Sequence, residues 1–176
     1  MCKGSVRLLA LLGITASATV SLGCVASVTA NSVLIEKADA IIRVETVGYS
    51  IPPANPGLRT TGVPDSKVRF KVIEVVRGLN LSELELHGYV VQYDDFNDHA
   101  PPYKFVRSGG RAGSCYANSY RDGAQYLLFV KKENSGELTV NWAPLSPVNE
   151  QLHSPDDPWL LWVRQQVDRL PQKSSD

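Results

Sequence analysis

Apolar residues between positions 40 and 142 recur at every second position or in short runs, the pattern typical of β-strands. In Lys67–Arg77 the apolar Val68, Phe70 and Val72 alternate with basic residues. Strict alternation predicts a strand with one buried face and one solvated face. Similar patterns and a high content of β-branched residues predict four more strands, over residues 40–49, 83–93, 125–132 and 137–142.

Proline and glycine separate these strands. Residues 51–64 are rich in both, which predicts a long loop. Gly78-Leu79-Asn80 predicts a turn, and Asn134-Ser135-Gly136 predicts a hairpin connection between the last two strands.

The end of the chain changes to a helical period. Trp159, Trp162 and Val163 lie on one stripe, as expected of an amphipathic helix that packs on a core. Asp157-Pro158 supplies an N-cap followed by proline in the first helical position. Pro171 ends the predicted helix.

These elements predict a mainly β domain, a five-stranded OB-like closed barrel with a C-terminal amphipathic helix. Closing the sheet would remove the exposed edges that five strands otherwise leave. We expect the barrel within residues 24–150, the helix packed on it within 151–171, and a disordered tail over 172–176. A short helical turn is also predicted over Asn31–Lys37.

The first residues have the layout of an export signal. Lys3 and Arg7 precede an apolar run over residues 8–14, and small residues follow up to Ala30. This order is that of a secretory signal peptide. We therefore expect residues 1–23 to be removed, with cleavage between residues 18 and 30, and the mature domain to be periplasmic or secreted. An uncleaved membrane helix is the alternative.

The two cysteines that follow the apolar run leave several outcomes open. Val20–Cys24 resembles a bacterial lipobox, in which lipidation of the cysteine anchors the protein to a membrane. If Cys24 is retained without lipid, it can form a disulfide with Cys115, since exported thiols usually pair. If Cys24 is lipidated or removed, Cys115 is left as a buried small residue.

Charge excludes some partners. Lys plus Arg and Asp plus Glu each number 18, so the formal net charge is zero. A nucleic-acid binder that relies on bulk positive charge is therefore not expected. No motif for a cofactor is present, and we expect none.

Four stretches carry a resemblance to a known family. Cys24 lies shortly before Ala38–Ile42, Phe70–Gly78 ends in a basic residue and glycine, and Ser114-Cys115 precedes the strand in Gly123–Val130. In this order they resemble the netrin-like (NTR) domain, the OB-type barrel also found in tissue inhibitors of metalloproteinases. The resemblance spans about residues 24–145.

The resemblance implies a further role for the N-terminus. In the animal inhibitors, the mature N-terminal cysteine chelates the catalytic zinc of the protease through its amine and carbonyl groups. Cys24 would occupy that position if cleavage follows Gly23. A lipidated Cys24 would have an acylated amine that cannot chelate.

The polar run Tyr93–His99 is the densest candidate for chemistry. Asp94, Asp95, Asp98 and His99 could together hold a calcium or transition-metal ion. A metal-dependent hydrolase would use these four residues. A solvated loop is the alternative and the favoured interpretation, since such residues commonly form loops.

Aromatic and basic residues alternate after this loop and form the candidate contact surface. Its members are Tyr103, Phe105, Arg107, Arg111, Tyr116 and Tyr120. Side chains of these types can bind a peptide or a carbohydrate. The glycine-rich residues 108–114 are interpreted as a flexible loop, in which Arg107 and Arg111 would bind an anion if the loop is functional.

The favoured function is an exported, non-catalytic binding module that contacts a protein, peptide or glycan outside the cytoplasm. No pairing of a nucleophile with a base supports an enzyme. Inhibition of a metalloprotease through Cys24 is a sharper version of this hypothesis. A membrane-anchored lipoprotein and, less favoured, the metal-dependent hydrolase are the alternatives.

Overall fold

The structure is a computed structural model that describes residues 28–56, 58, 62–111 and 115–171. The predicted export signal, Cys24 and the predicted tail at 172–176 lie outside the described residues. Three helices are present in the described part: α1 (Asn31–Lys37), α2 (Ser108–Arg111) and α3 (Pro158–Asp168). The strands in that part are β1 (Ala40–Ile51), β2 (Lys67–Gly78), β3 (Glu83–His87), β4 (Tyr89–Val91), β5 (Ser119–Arg121), β6 (Gln125–Lys132), β7 (Leu138–Thr139) and β8 (Asn149–Gln151).

One antiparallel sheet organises the domain. Its strand order is β3-β2-β1-β6-β7, and β8 pairs with β6 as well. Two short strands, β4 and β5, form a separate parallel pair. The prediction of a mainly β domain with a C-terminal helix is confirmed.

No sheet in the described part of the chain closes into a barrel. The path of hydrogen-bonded strands ends at β3 on one side and at β7 on the other. The prediction of a last strand over residues 137–142 is wrong beyond Thr139, because β7 ends at that residue. The Thr139 hydroxyl oxygen accepts a bond of 3.0 Å from the Asn141 N–H, and such a local side-chain bond competes with strand pairing.

The predicted strand over residues 83–93 is divided at Gly88. The Gly88 N–H donates to the Ser66 carbonyl over 3.1 Å, which ends the β2–β3 ladder, and the chain then pairs in parallel with β5. A Cβ atom at position 88 would lie 2.6 Å from the Tyr120 ring. Glycine therefore permits the close approach on which this division depends.

The core lies between the sheet and the helices. Its largest apolar and aromatic side chains are fully buried: Trp159, Phe70, Phe129, Tyr120 and Tyr126. Trp159 stacks on Trp162 with 5.3 Å between ring centroids, so the predicted tryptophan stripe of α3 does face the core. Arg164 of α3 pairs with Glu74 of β2 over 2.6 Å, which fixes the helix against the sheet.

Asp157 caps α3 as predicted. Its fully buried carboxylate accepts bonds from the N–H groups of Trp159 (2.8 Å) and His153 (2.9 Å). Pro158 occupies the first turn. The side chain thus satisfies one free N–H of the helix and also fixes the segment that leads into it.

Replacing this cap is expected to weaken the helix. Asp157→Ala removes both acceptor oxygens, so we expect the free energy of unfolding to fall by about 0.5–2 kcal/mol. Asp157→Asn, which keeps one acceptor oxygen, is the matched control and should lose less. Urea denaturation measures both, and equal midpoints for the wild type and Asp157→Ala would contradict the capping role.

Candidate functional site

The segment that follows β4 folds back over β8. The Asp95 N–H donates to Gln151 Oε1 over 2.9 Å, and Asn97 Nδ2 donates to Glu150 Oε2 over 2.9 Å. Asn97 is itself buried. These bonds bring the polar run predicted from the sequence onto the end of the main sheet.

Arg107 lies at the centre of this region and is completely buried. Its guanidinium pairs with Asp95 Oδ2 over 2.6 Å and donates to the backbone carbonyls of Asn149 (2.9 Å) and Ala117 (2.7 Å). It also lies 5.4 Å and 5.3 Å from the ring centroids of Tyr120 and Tyr126. A buried cation is stable only when it is paired and hydrogen-bonded in this way.

Glu150 is a second buried charge site beside Arg107. Its carboxylate accepts from the Arg107 backbone N–H over 3.0 Å as well as from Asn97. Burial raises the pKa of Glu150 to about 7, although the nearby Arg107 cation and these two hydrogen bonds oppose the shift. Burial therefore favours the neutral, protonated form of this carboxyl group.

The predicted contact surface does not form as a unit. Tyr103, Arg107 and Tyr120 are buried, so their side chains are not presented at the surface, and their role in contacting a partner stays a prediction. Burial raises the pKa values of both Tyr103 and Tyr120. The alternation of aromatic and basic residues serves the interior here, because Arg107 is paired with Asp95 and covered by aromatic rings. The remaining predicted members stay accessible in part: Phe105 and Arg111 are exposed, and Tyr116 is half-buried.

The predicted metal ligands also point to separate partners. Asp95 pairs with Arg107, Asp94 with Arg121 over 2.9 Å, and Asp98 with Arg111. His99 Nε2 is 3.5 Å from Asp98. Within residues 28–171, where described, no three His, Cys, Asp or Glu side chains are grouped to hold a metal ion. The loop thus uses its acidic residues in ion pairs.

The glycine-rich residues form a short helix in part, where a loop was predicted. In α2, the Gly109 N–H donates to Asp95 Oδ1 over 3.0 Å. A Cβ atom at position 109 would lie 2.4 Å from Asp95 Oδ2. Glycine here allows the close approach of the backbone to Asp95. The two arginines predicted to bind an anion, Arg107 and Arg111, are paired with the carboxylates of Asp95 and Asp98. Residues 112–114 lie outside the described residues.

A cleft opens beside this buried network, with a volume of about 260 Å³. We name it the Phe96 cleft. It is lined by Phe96, Arg121, Ala124, Gln125, Gln151, Leu152, His153, Ser154 and Pro155. Phe96 stacks on His153 with 4.0 Å between ring centroids and an interplanar angle of 13°.

Several polar groups at the Phe96 cleft retain free hydrogen-bonding capacity. Gln125 Oε1 accepts two bonds from Arg43, over 3.0 Å and 2.6 Å. This leaves the Gln125 amide nitrogen without a partner among the described residues. His153 Nδ1 bonds to Asp157 over 2.9 Å, and the other ring nitrogen likewise has no partner in the described part of the chain. Sequence reasoning missed this site because its members are distant along the chain and belong to no motif.

A second cleft, of about 190 Å³, lies between β3 and β7. Leu86, Leu138 and Val140 contribute apolar lining. At its rim Glu137 pairs with Lys67 over 3.1 Å and lies 3.4 Å from His87 Nε2. The Lys67 pair connects β2 to the residue that precedes β7, and the His87 contact connects the edge strand β3 to the same residue. Exposed contacts of this kind contribute little free energy.

Cys115 has a positive φ of 64°. The chain contains two other cysteines, Cys2 and Cys24, and both lie outside the described residues. The predicted pairing of Cys24 with Cys115 therefore stays a prediction.

Comparison with known proteins does not assign a family. Neither models of known protein families nor curated proteins give a match to this sequence. The described part of the chain holds no helix with the length and apolar character needed to cross a membrane.

Proposed function

We propose that this protein is an exported, non-catalytic binding module and that the Phe96 cleft is its contact surface. The observation that carries this proposal is the free hydrogen-bonding capacity at the cleft beside a fixed aromatic pair. Clefts that combine apolar walls with a few oriented polar groups are the usual form of a ligand site. The Arg107 network holds the segment that carries Phe96 against the sheet.

The pairing of the acidic residues favours binding over hydrolysis. A metal-dependent hydrolase would require Asp94, Asp95 and Asp98 to converge on one ion, and each of them instead contacts a different arginine. Breaking the Asp95–Arg107 pair would leave a buried guanidinium without its counter-ion. That cost is large compared with the free energy available from rearranging a surface loop.

The rolled sheet supports an NTR-like, OB-type domain as the finer fold proposal. The edge strands β3 and β7 contact each other, and Glu137, which precedes β7, lies 3.4 Å from His87 of β3. Closure of this gap would give the predicted five-stranded barrel. The resemblance to metalloproteinase inhibitors further suggests Cys24 as the contact residue of an inhibitor-like N-terminus.

The proposal about export is tested on the full chain produced in a bacterial host. Fractionation, N-terminal sequencing and intact mass of the recovered protein distinguish the versions. We expect recovery outside the cytoplasm with the first residues removed. A free Cys24 amine, together with an intact mass lower by two hydrogen atoms than that of the reduced chain, favours the inhibitor-like form. An intact mass increased by acyl chains establishes the lipoprotein. Full-length protein in the cytosol, with Met1 retained, would overturn the proposal.

The proposal of a non-catalytic module is tested by metal analysis of the same purified protein. We expect no stoichiometric metal after dialysis. Tightly bound metal at one ion per chain, lost in an Asp94→Asn, Asp98→Asn double variant, would establish the hydrolase-type site instead.

A further inference from the structure

We infer that the ligand of the Phe96 cleft is an uncharged, polyhydroxylated molecule, a sugar unit of a neutral glycan. This inference rests on the proposed function and names its ligand class. It follows from the kinds of hydrogen-bonding groups at the cleft, from their charge balance and from the pairing of the nearby strands.

Donors and acceptors alternate around the cleft. Arg43 occupies the Gln125 amide oxygen, and the amide nitrogen is a donor that has no partner among the described residues. His153 donates through Nδ1 to the Asp157 carboxylate, so in the neutral ring Nε2 is an acceptor. The hydroxyl of Ser154 can do both. Each hydroxyl group of a sugar both donates and accepts hydrogen bonds. Neighbouring sugar hydroxyls therefore match a cleft that presents both donors and acceptors.

Arg121 lines the cleft, and its partner Asp94, which is not itself a lining residue, places an acceptor beside that donor. Asp94 Oδ1 accepts from Arg121 over 2.9 Å and also from Gln151. Asp94 Oδ2 is then left without a partner among the described residues, as are the remaining N–H groups of Arg121. Neighbouring carboxylate and guanidinium groups can each bond one hydroxyl of a vicinal diol.

Charge balance favours a neutral ligand. Arg121 is neutralised by Asp94, and His153 is bonded to the buried Asp157. Among the residues that line the cleft, Arg121 is the arginine, and it is paired with Asp94, so the lining itself carries little excess positive charge for a phosphate or carboxylate. The Arg43 guanidinium, which is bonded to Gln125, is not a lining residue. A charged ligand would have to displace Asp94 from Arg121.

The strands beside the cleft favour a sugar over an extended peptide. Gln125 is paired through its backbone, since its carbonyl accepts from the Leu152 N–H over 2.8 Å and β6 pairs with β1 and β8. An added peptide strand would need a free sheet edge. The Phe96–His153 stack instead offers an apolar ring surface on which the C–H face of a sugar can pack.

The experiment screens the purified full chain on an array of neutral and acidic glycans and measures the affinity of retained neutral oligosaccharides by calorimetry. We expect at least one neutral glycan to bind. Phe96→Ala should weaken this binding about tenfold or more, and Gln125→Ala should weaken it as well. Ile73→Ala is the control, because Ile73 is an exposed apolar residue of β2 outside the cleft, and the affinity of this variant should equal that of the wild type.

Each remaining outcome decides the inference. A blank array, retention of acidic glycans alone, or equal weakening in Phe96→Ala and Ile73→Ala would each overturn it. Circular dichroism of the variants separates lost binding from lost folding, and Gln125→Ala provides the test if Phe96→Ala does not fold. If the protein is exported and free of metal but the array is blank, the inference of a sugar ligand is rejected, and the proposal of a binding module stands. Stoichiometric metal together with hydrolysis of a probe would reject both the sugar ligand and the non-catalytic binding module.

Discussion

Arg107→Met is expected to lower the free energy of unfolding by about 3–5 kcal/mol. The substitution keeps much of the apolar stem but removes the guanidinium donors from Asp95 and from the carbonyls of Asn149 and Ala117. Asp95 then keeps only the Gly109 N–H, and the Ala117 carbonyl keeps only the Asn149 side chain, among the described residues. A mostly buried Asp95 carboxylate that has lost its counter-ion costs the folded state far more free energy than a lost surface contact does. Urea denaturation monitored by tryptophan fluorescence measures the change.

The matched control for this variant is Arg111→Met. Arg111 pairs with Asp98 in the same region, but both side chains are solvent-accessible, with relative exposures of 31% and 55%. Exposed ion pairs contribute about 1 kcal/mol or less. Similar losses in the two variants would show that burial of the Arg107–Asp95 pair does not govern stability. Arg107→Lys keeps the charge without the planar fork and should give an intermediate loss.

Glu150 is expected to make the protein less stable as the pH rises from about 4.5 to about 7. Its pKa is raised in the folded state, so in this range the folded protein binds more protons at this site than the unfolded chain does. The stabilisation from this site is present in full below about pH 4.5 and is lost as the pH passes through about 7. Converted by the free energy per pKa unit, the loss is roughly 3 kcal/mol.

The measurement is the free energy of unfolding of the wild type minus that of Glu150→Gln, over this pH range. The variant cannot titrate at this position, so the difference isolates Glu150 from all other groups. We expect the difference to fall with rising pH. In the variant the new amide nitrogen would face Asn97 Nδ2, which is also a donor. The cost of this contact shifts the difference in free energy by the same amount at every pH and does not change its dependence on pH. A difference that does not change with pH would contradict the raised pKa.

Both substitutions also bear on the Phe96 cleft. Asp95 and Asn97, which flank Phe96 in sequence, are held by Arg107 and Glu150. Loss of either charge is therefore expected to displace the aromatic residue as well as to destabilise the domain. Ligand affinity in Glu150→Gln, measured where the variant is folded, would report this coupling.

Local sequence determined the longer elements of this protein. Alternation of apolar and polar residues placed β2, a high content of β-branched residues placed β1, and an apolar run of strand length placed β6. The Asp157-Pro158 cap placed the start of α3. The strands β5 and β8 were not predicted, since each has only three residues and so short a segment has no recognisable period. Their existence depends on the partners supplied by β4 and β6.

The identity of the site depended on tertiary structure. In sequence, Arg107 and its aromatic neighbours have the composition of a contact surface, and Asp94–His99 has that of a metal loop. Folding buries the first group around Asp95 and distributes the second among arginines, because a buried charge must find its counter-ion within the chain. Phe96 and His153 are brought together from distant segments by the return of the loop over β8. The sequence alone determined which segments became strands and helix, since short-range periodicity and capping decide these. Only the tertiary structure decided which polar groups became partners of one another and which stayed available to a ligand.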